Sequence, residues 1–210
     1  MKEKVTKEQI QEALIVRHTK VVQEKLNQAR VAIAGLGGLG SNVAFFLARA
    51  GVGHLHLIDF DRVDLTNLNR QQYSIRHLNR PKPEALKEEL LEINPYLDIQ
   101  TDFLKIQREH IQELFQDADV ICEAFDQPDQ KAMLVNGVLE LLPEKKMVSG
   151  SGMAGYGNSN AIQTRKAMGN LYLCGDETTG IETGKCLMAP RVAICAAHEA
   201  NQILELIVDE

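Results

Sequence analysis

The sequence of 210 residues predicts an α/β protein with a Rossmann-like, doubly wound and mostly parallel sheet. Three observations predict this class. A short apolar run at residues 31–34 passes into a glycine-rich turn, a second strand pattern covers residues 54–58, and strand and helix patterns alternate afterwards. Short apolar runs that alternate with helical patterns are typical of buried parallel strands joined by crossover helices.

The predicted elements follow the chain in order. An amphipathic helix is expected before the first strand, and a helix is expected after the glycine turn. A late antiparallel β extension, at residues 161–165 and 170–174, precedes a long closing helix. The predicted helices are residues 7–28, 41–50, 82–93, 109–115, 129–142 and 189–208, and the remaining strands are 97–103, 119–124 and 146–151. No linker divides the chain, so one domain, 1–210, is expected, with segment 1–29 packed on it or on a dimer partner.

The turn GLGGLG lies between the first strand and the helix that follows it. Glycines lack a Cβ atom, so a phosphate or ribose can approach the backbone, and amides at the helix start can face an anion. Asp59 ends the second strand, where a carboxylate can accept hydrogen bonds from ribose hydroxyls. This context predicts a nucleotide site that NAD or ATP would fit equally well. Its glycines are Gly35, Gly37, Gly38 and Gly40.

The loop after Asp59 is more polar than a ribose contact requires. It carries Asp61, Asp64, Asn67, Asn69 and Arg70. Lys82 follows at the mouth of a predicted helix, and Asp126 follows the predicted strand 119–124, at the sheet edge where ligands bind. Taken singly, each charged residue has an ordinary interpretation as a surface charge or a helix cap. Together they suit triphosphate chemistry, with Arg70 and Lys82 neutralising phosphates and Asp126 holding a hard metal ion.

These motifs resemble the ThiF/MoeB/HesA family of ubiquitin-activating-type adenylyltransferases, over nearly the whole chain. The resemblance rests on GLGGLG, the DFD…NLNRQ loop, the PK pair and the EAFD strand end. Within the family, MAGYGNSN at residues 153–160 and LMAPRVAI at residues 187–194 resemble the compact ThiF type of thiamine biosynthesis.

The resemblance implies roles for particular residues. Gly38 would approach the nucleotide, Asp59 would hold the ribose, and Lys82 would bind the triphosphate. Asn67 and Arg70 would contact phosphates, and Asp126 would hold Mg²⁺. Arg17 would match an arginine that relatives contribute across a dimer. The whole nucleotide set expected is Gly35, Gly37, Gly38, Gly40, Asp59, Asp61, Asn67, Asn69, Arg70 and Lys82.

The reaction implied by the resemblance is adenylation. The carboxylate at the Gly-Gly end of a small ubiquitin-like sulfur carrier protein would attack ATP and expel pyrophosphate, and the acyl adenylate would then take sulfur from a persulfide donor such as a cysteine desulfurase. Because that carboxylate is already ionised near neutral pH, no protein nucleophile is needed. Thiamine thiazole synthesis is the expected pathway. A carrier of molybdopterin or cysteine synthesis remains an alternative.

The four cysteines lie too far apart to form CxxC pairs, so the structural zinc of larger relatives is not expected. Cys122 and Cys195 lie in apolar runs and are expected to be buried and inert. Cys174 and Cys186 flank the loop GDETTGIETGK, where some relatives carry a cysteine that bonds the carrier. Cys186 is the candidate carrier-linked thiol, with an ordinary loop thiol as the alternative.

The segment SGSGMAGYGNSN, residues 149–160, is glycine-rich without the pattern of a phosphate loop. Its small residues, Gly155 among them, are expected to leave a channel for an extended Gly-Gly tail, with a plain flexible loop as the alternative. A homodimer is expected, because relatives pair and because the apolar stripe of the N-terminal helix needs a surface to cover, although docking within one chain would also satisfy it.

Composition restricts the remaining classes. A net charge of −6 disfavours nonspecific nucleic-acid binding. The first residues lack the apolar core of a signal peptide and no apolar run is long enough to cross a bilayer, so a cytoplasmic protein with reduced thiols is expected. An NAD-dependent oxidoreductase and a noncatalytic partner subunit of the same fold remain open.

Overall fold

The computed structural model describes residues 5–180 and 186–209. Within these residues the strands form one seven-stranded sheet of order β3-β2-β1-β4-β5-β7-β6. All neighbours run parallel except β6 and β7, which pair antiparallel at one edge. The strands are β1 Arg30–Ala34, β2 His54–Ile58, β3 Asp98–Asp102, β4 Val120–Glu123, β5 Lys146–Gly150, β6 Gln163–Met168 and β7 Leu171–Gly175. The predicted Rossmann-like sheet with an antiparallel extension is confirmed.

The helices cover both faces of this sheet. They are α1 Lys7–His18, α2 Lys20–Gln28, α3 Gly38–Ala50, α4 Lys82–Ile93, α5 Ile111–Phe115, α6 Pro128–Leu141 and α7 Ala189–Val208. None of the described helices combines the length and the apolar character that a bilayer span requires.

Two apolar clusters fill the faces of the sheet. Ile33 and Leu57 point to one cluster, which contains residues of α3, α4 and α7. Ala32 and Ile58 point to the other, which contains residues of α5 and α6. Neighbouring residues of β1 are thus buried on opposite faces, and this explains why the central strands are continuous apolar runs rather than alternating ones.

The chain changes direction across the sheet at β1 and β4. From β1 it proceeds outward through β2 to β3, then returns to pair β4 with the other side of β1. The crossover loops on the two sides therefore diverge and leave a crevice outside the carboxyl ends of β1 and β4. Crevices at such switch points are the usual ligand sites of open α/β sheets.

The N-terminal helix differs from the prediction. A single helix is expected over residues 7–28, but the helix is interrupted at Thr19, whose φ of 74° lies in the left-handed region. The break lets His18 Nδ1 lie 2.8 Å from Gln23 Oε1. Helix α2 buries Gln23 and Leu26, whereas α1 has no buried residue. The expected apolar stripe is therefore only partly covered within this chain.

Candidate active site

A cleft with a volume of about 570 Å³ lies at the switch point. The glycine turn after β1 forms one part of its wall, and the polar loop after β2 forms another. The segments that follow β3, β4, β5 and β7 complete it, together with Leu187 and Val192. Residues from segments that are distant in sequence thus face one space.

A smaller cavity of about 280 Å³ lies beside β1, β2 and β3. Its histidines His54 and His56 pair with Asp98 and Asp102, at 2.8 and 2.5 Å. No group of three His, Cys, Asp or Glu within residues 5–180 and 186–209 is arranged to hold a metal ion. The larger cleft is the candidate site, because most of the predicted site residues line it.

The glycine turn brings the start of α3 to the cleft. Gly35 has φ +90°, and a Cβ atom there would lie 2.9 Å from the carbonyl oxygen of Ala124, so β1 can leave the sheet beside β4 only with a glycine. Gly37 and Gly38 line the cleft at the helix N-terminus, where free N–H groups and the helix dipole favour an anion. Gly40, predicted to bind nucleotide, does not line the cleft. A Cβ atom there would lie 1.8 Å from the oxygen of Gly35, so Gly40 serves close packing of the turn.

Asp59 and Lys82 form a buried charged wall of the cleft. The two carboxylate oxygens of Asp59 accept hydrogen bonds from the backbone N–H groups of Leu36 at 2.6 Å and Asp61 at 2.7 Å. Lys82 Nζ lies 2.9 Å from Asp61 Oδ2 and 3.9 Å from Asp59 Oδ2. Burial raises the pKa of Asp59, and the charge of Lys82 opposes that rise. Asp61, expected among the nucleotide ligands, lines the cleft and holds Lys82 in place.

Arg70 reaches the cleft from the loop after β2. Its Nη1 donates to the carbonyl oxygen of Thr66 at 3.2 Å and to Asn69 Oδ1 at 2.8 Å. Asn67 also lines the cleft, but Asn69 does not. Asn69 donates instead to the carbonyl oxygen of Leu187 at 2.9 Å. Asn69 therefore orients Arg70 and ties its loop to the segment before α7, which the sequence did not indicate.

Asp126 lies at the cleft just beyond the end of β4, and its side chain is exposed. Across the described ranges, no hydrogen-bond donor or cation is paired with its carboxylate. A hard cation such as Mg²⁺ prefers oxygen ligands and is commonly bound by one or two carboxylates together with substrate phosphates. The exposed carboxylate of Asp126, which faces the cleft, fits that arrangement.

Three polar residues that the sequence did not predict contact one another at the cleft, which Lys131 lines. Glu123, the fully buried last residue of β4, accepts a hydrogen bond from Ser149 Oγ at 2.5 Å and forms an ion pair with Lys131. Its other oxygen accepts from the N–H of Phe125 at 2.8 Å and so shapes the turn that leads to Asp126. A charged residue inside an apolar strand pattern was the signal available for Glu123.

Glu199 of α7 is a further missed residue. It is fully buried, and no described group donates a hydrogen bond to either carboxyl oxygen. A Cβ atom on Gly150, which lines the cleft, would lie 2.8 Å from Glu199 Oε1. Burial raises the pKa of Glu199 to about 8, although the positive charge of Lys131 acts in the opposite direction. Glu199 is thus protonated at neutral pH, directly behind the cleft wall.

Three of the cysteines are buried and one is exposed. Burial raises the pKa of Cys122 and Cys195, which agrees with the prediction of inert thiols. Cys174, which flanks the same loop as Cys186, is buried too, and burial raises its pKa to about 12, so it is a poor nucleophile. Cys186 is exposed and lies outside the cleft lining, with its carbonyl oxygen accepting from Gly155 N–H at 2.6 Å. Residues 181–185 of the loop between the two cysteines lie outside the described residues.

Arg17 lies on α1, exposed and away from the cleft of its own chain. The described residues therefore bring together nine of the predicted site residues. These are Gly35, Gly37, Gly38, Asp59, Asp61, Asn67, Arg70, Lys82 and Asp126.

The chain is similar in sequence to several known proteins. Residues 7–210 match the model of the ThiF family. The chain is 30% identical to molybdopterin-synthase adenylyltransferase of Escherichia coli over 190 residues, which cover 88% of this chain and 75% of that protein. It is 43% identical to molybdopterin-synthase adenylyltransferase of Haemophilus influenzae over 105 residues, which cover 50% of this chain and 43% of that protein. The second match thus spans less than half of the relative's length.

The fold has a similar solved structure. E. coli tRNA N6-threonylcarbamoyladenosine dehydratase, in complex with AMP, superposes with a TM-score of 0.86 over 99% of this chain and 98% of that chain. The two sequences are 19% identical. This likeness shows the fold alone.

Proposed function

This chain belongs to the ThiF family, and from that premise we propose that it is an adenylyltransferase that acts with ATP on a small ubiquitin-like sulfur carrier protein ending in Gly-Gly. One observation carries the proposal. Arg70, Lys82 and the carboxylate of Asp126, which has no partner within residues 5–180 and 186–209, meet in a single cleft against the N-terminus of α3. An NAD-dependent oxidoreductase would use the glycine turn and Asp59, but it would not need those three groups together.

The proposed binding of ATP follows from the lining of the cleft. Asp59 would accept hydrogen bonds from ribose hydroxyls, and the amides at Gly37 and Gly38 would face phosphate oxygens. Arg70 offers a planar fork to two oxygens, whereas Lys82 offers a compact charge. Asp126 would hold Mg²⁺, which supplies positive charge against the phosphates when it is bound.

The proposed reaction forms one bond and breaks one. A carboxylate oxygen of the carrier forms a bond to the α-phosphorus of ATP, and the bond between that phosphorus and the bridging oxygen to the β-phosphate breaks. Pyrophosphate leaves with the electron pair, and the carrier becomes an acyl adenylate. Arg70 and Lys82 would stabilise the charge that spreads over the phosphate oxygens, so alignment and electrostatics account for the rate enhancement.

The identity of the carrier is a finer part of the proposal. The relatives named above are molybdopterin-synthase adenylyltransferases, and this supports a carrier of the molybdopterin pathway. The segments MAGYGNSN and LMAPRVAI favour the thiamine pathway as the second candidate. A carrier of cysteine synthesis would undergo the same chemistry.

Sulfur transfer and assembly complete the proposal. The acyl adenylate would receive sulfur from a persulfide donor such as a cysteine desulfurase, and exposed Cys186 is the candidate thiol for a covalent bond with the carrier. Arg17 is proposed to reach the cleft of a second copy in a homodimer, since it lies outside the cleft of its own chain.

The test is ATP/pyrophosphate exchange with Mg²⁺ and separately purified carriers of the three pathways. Exchange with one carrier supports adenylation and names the pathway, and Arg70→Ala should abolish it. Arg62→Ala is the matched control, because Arg62 lies in the same loop but binds the carbonyl oxygen of Asn79 outside the cleft. If the folded protein exchanges with no carrier, the proposal is wrong. Binding of NAD without ATP would then favour the oxidoreductase, and binding of neither would favour the noncatalytic subunit.

A further inference from the structure

Two loops face each other at the cleft. The glycine-rich loop, residues 151–158, lines it with residues 151–154, and the threonine loop, residues 175–180, lines it with residues 177–180. Their backbones are joined where they leave the sheet, since Asp176 N–H donates to Gly152 O and Glu177 N–H donates to Ser151 O, both at 2.9 Å.

Arg191, in the first turn of α7, bonds to both loops. Its side chain is 7% exposed. Nη1 donates to the carbonyl oxygens of Gly157 at 2.7 Å and Asn158 at 3.1 Å in the glycine-rich loop. Nη2 donates to Asp176 Oδ2 at 2.5 Å in the threonine loop. One planar guanidinium therefore links the two loops, in addition to the backbone hydrogen bonds where they leave the sheet.

Asp176 transmits this contact into the threonine loop. Its Oδ1 accepts from the N–H groups of Thr178 at 3.0 Å and Thr179 at 2.8 Å, and its Oδ2 accepts from Thr179 Oγ1 at 2.7 Å. Burial acts to raise the pKa of Asp176, but these hydrogen bonds and the one from Arg191 outweigh it and lower the pKa. The carboxylate is ionised at neutral pH and fixes the turn that lines the cleft.

Burying the charges of Arg191 and Asp176 costs desolvation free energy, so the pair is a weak way to stabilise a loop. Arg191 Nε is buried and has no hydrogen-bond partner among the residues that the structure describes. A buried ion pair adds little net stability compared with an apolar side chain of similar volume, because both charges lose their hydration. What the pair provides is a defined geometry between two loops.

From this geometry we infer that Arg191 is a positioning residue for the tail of the carrier protein, holding the glycine-rich and threonine loops at the separation that an extended Gly-Gly tail requires. The inference rests on the proposed function. Arg191 does not line the cleft, so it acts through the loops. The groups proposed to bind ATP, including Asp59, Arg70 and Lys82, lie on other segments, so loss of Arg191 changes carrier binding and leaves ATP binding intact.

The test compares Arg191→Met with the wild-type protein in ATP/pyrophosphate exchange, using a carrier that the wild-type accepts. The KM for the carrier should rise on the order of tenfold, while kcat at saturating carrier and the Kd for ATP stay within about twofold. The carrier KM of Arg191→Lys should lie between those of the wild-type protein and Arg191→Met. An ammonium can pair with Asp176, but it lacks the planar fork that reaches the other loop. Hydrogen exchange should accelerate in both loops and not in β1.

Arg165→Met is the matched control. Arg165 pairs with Glu177 of the same loop, but this pair is 50% and 41% exposed, so its loss should leave the carrier KM unchanged. If Arg191→Met does not fold, Arg191→Lys carries the test, since it retains the charge beside Asp176.

Three results would overturn the inference. An unchanged carrier KM in the Met and Lys variants would remove Arg191 from tail positioning. A lower kcat with unchanged KM, or a parallel rise in the Kd for ATP, would mean that Arg191 only maintains the fold. Absence of exchange by the wild-type protein with every carrier would reject the proposed function, and this inference with it.

Discussion

Lys82 Nζ lies 2.9 Å from Asp61 Oδ2, and this contact holds a buried ammonium against the wall of the cleft. Lys82 is thus prevented from turning into solvent before a ligand arrives. The Asp61 side chain is exposed to 51%, so a phosphate oxygen could replace it as the partner of Lys82 at little cost.

Lys82→Ala is therefore expected to reduce carrier-dependent exchange by about a hundredfold or more, because a charge aimed at the phosphates is lost. Asp61→Asn should cost roughly tenfold or less, since it loosens Lys82 without removing its charge. Steady-state exchange rates measure both. Equal losses in the two variants would contradict the supporting role of Asp61.

Asp126→Asn should raise the Mg²⁺ concentration needed for half-maximal exchange, because a neutral amide is a weaker ligand for a hard cation than a carboxylate. A magnesium titration at fixed ATP measures this. Asp129→Asn is the control, since Asp129 lies three positions further along but not in the cleft lining. The same magnesium dependence in both variants would remove Asp126 from the metal site.

Within the glycine turn, Gly37 is expected to serve ligand binding and Gly40 to serve packing. Gly40→Ala should unfold the protein or cost more than about 3 kcal/mol of unfolding free energy, because its Cβ would lie 1.8 Å from Gly35 O. Gly37→Ala should fold normally, since the nearest atom to its Cβ lies at 3.8 Å, but it should weaken ATP binding at the cleft. Urea unfolding and ATP titration distinguish them. Normal stability of Gly40→Ala would refute the packing role.

The unfolding free energy of the protein is expected to depend on pH through Glu199. Its pKa is raised from the ordinary value of 4.5 to about 8. Between these values the folded state keeps a proton that the unfolded state releases, so the contribution of Glu199 to the unfolding free energy falls as the pH rises. Glu199→Gln cannot ionise, and it should be more stable than the wild-type protein at pH 8 by about 4 kcal/mol, with the gain shrinking to below about 1 kcal/mol at pH 5.

Urea unfolding at several pH values measures this difference. Glu205→Gln, at an exposed position of the same helix, should show no such gain. A gain for Glu199→Gln that does not change with pH would show that Glu199 is not the titrating group.

If Arg17 reaches the cleft of a second copy, as proposed, the active site is shared between subunits. Arg17→Ala should slow adenylation, and so should Asp126→Ala. If Arg17 acts on the partner's cleft, mixing the two inactive proteins should restore part of the activity, since a mixed dimer holds one complete site. Activity of Arg17→Ala equal to that of the wild-type protein would remove Arg17 from the site.

The sequence by itself determined the order of the elements and much of the candidate site. Residues 31–34 of β1 and 120–122 of β4 are short apolar runs, because both faces of these central strands are buried, and such runs are visible locally. The glycine turn and Asp59 could be predicted for the same reason, since both depend on neighbours within one βαβ unit. Arg70, Lys82 and Asp126 could be grouped because parallel strands end at a common edge.

Only the tertiary structure decided several local details and the contacts between distant segments. Gly40 packs against Gly35 instead of a ligand, and the N-terminal helix is interrupted at Thr19, where the sequence pattern predicts a continuous helix. Glu123 pairs with Lys131 and Ser149. Arg191, buried between two loops, is a single charged residue in an otherwise helical pattern. Such pairings have no sequence period, because they depend on where separate loops meet in space, and folding alone brings them within hydrogen-bond distance.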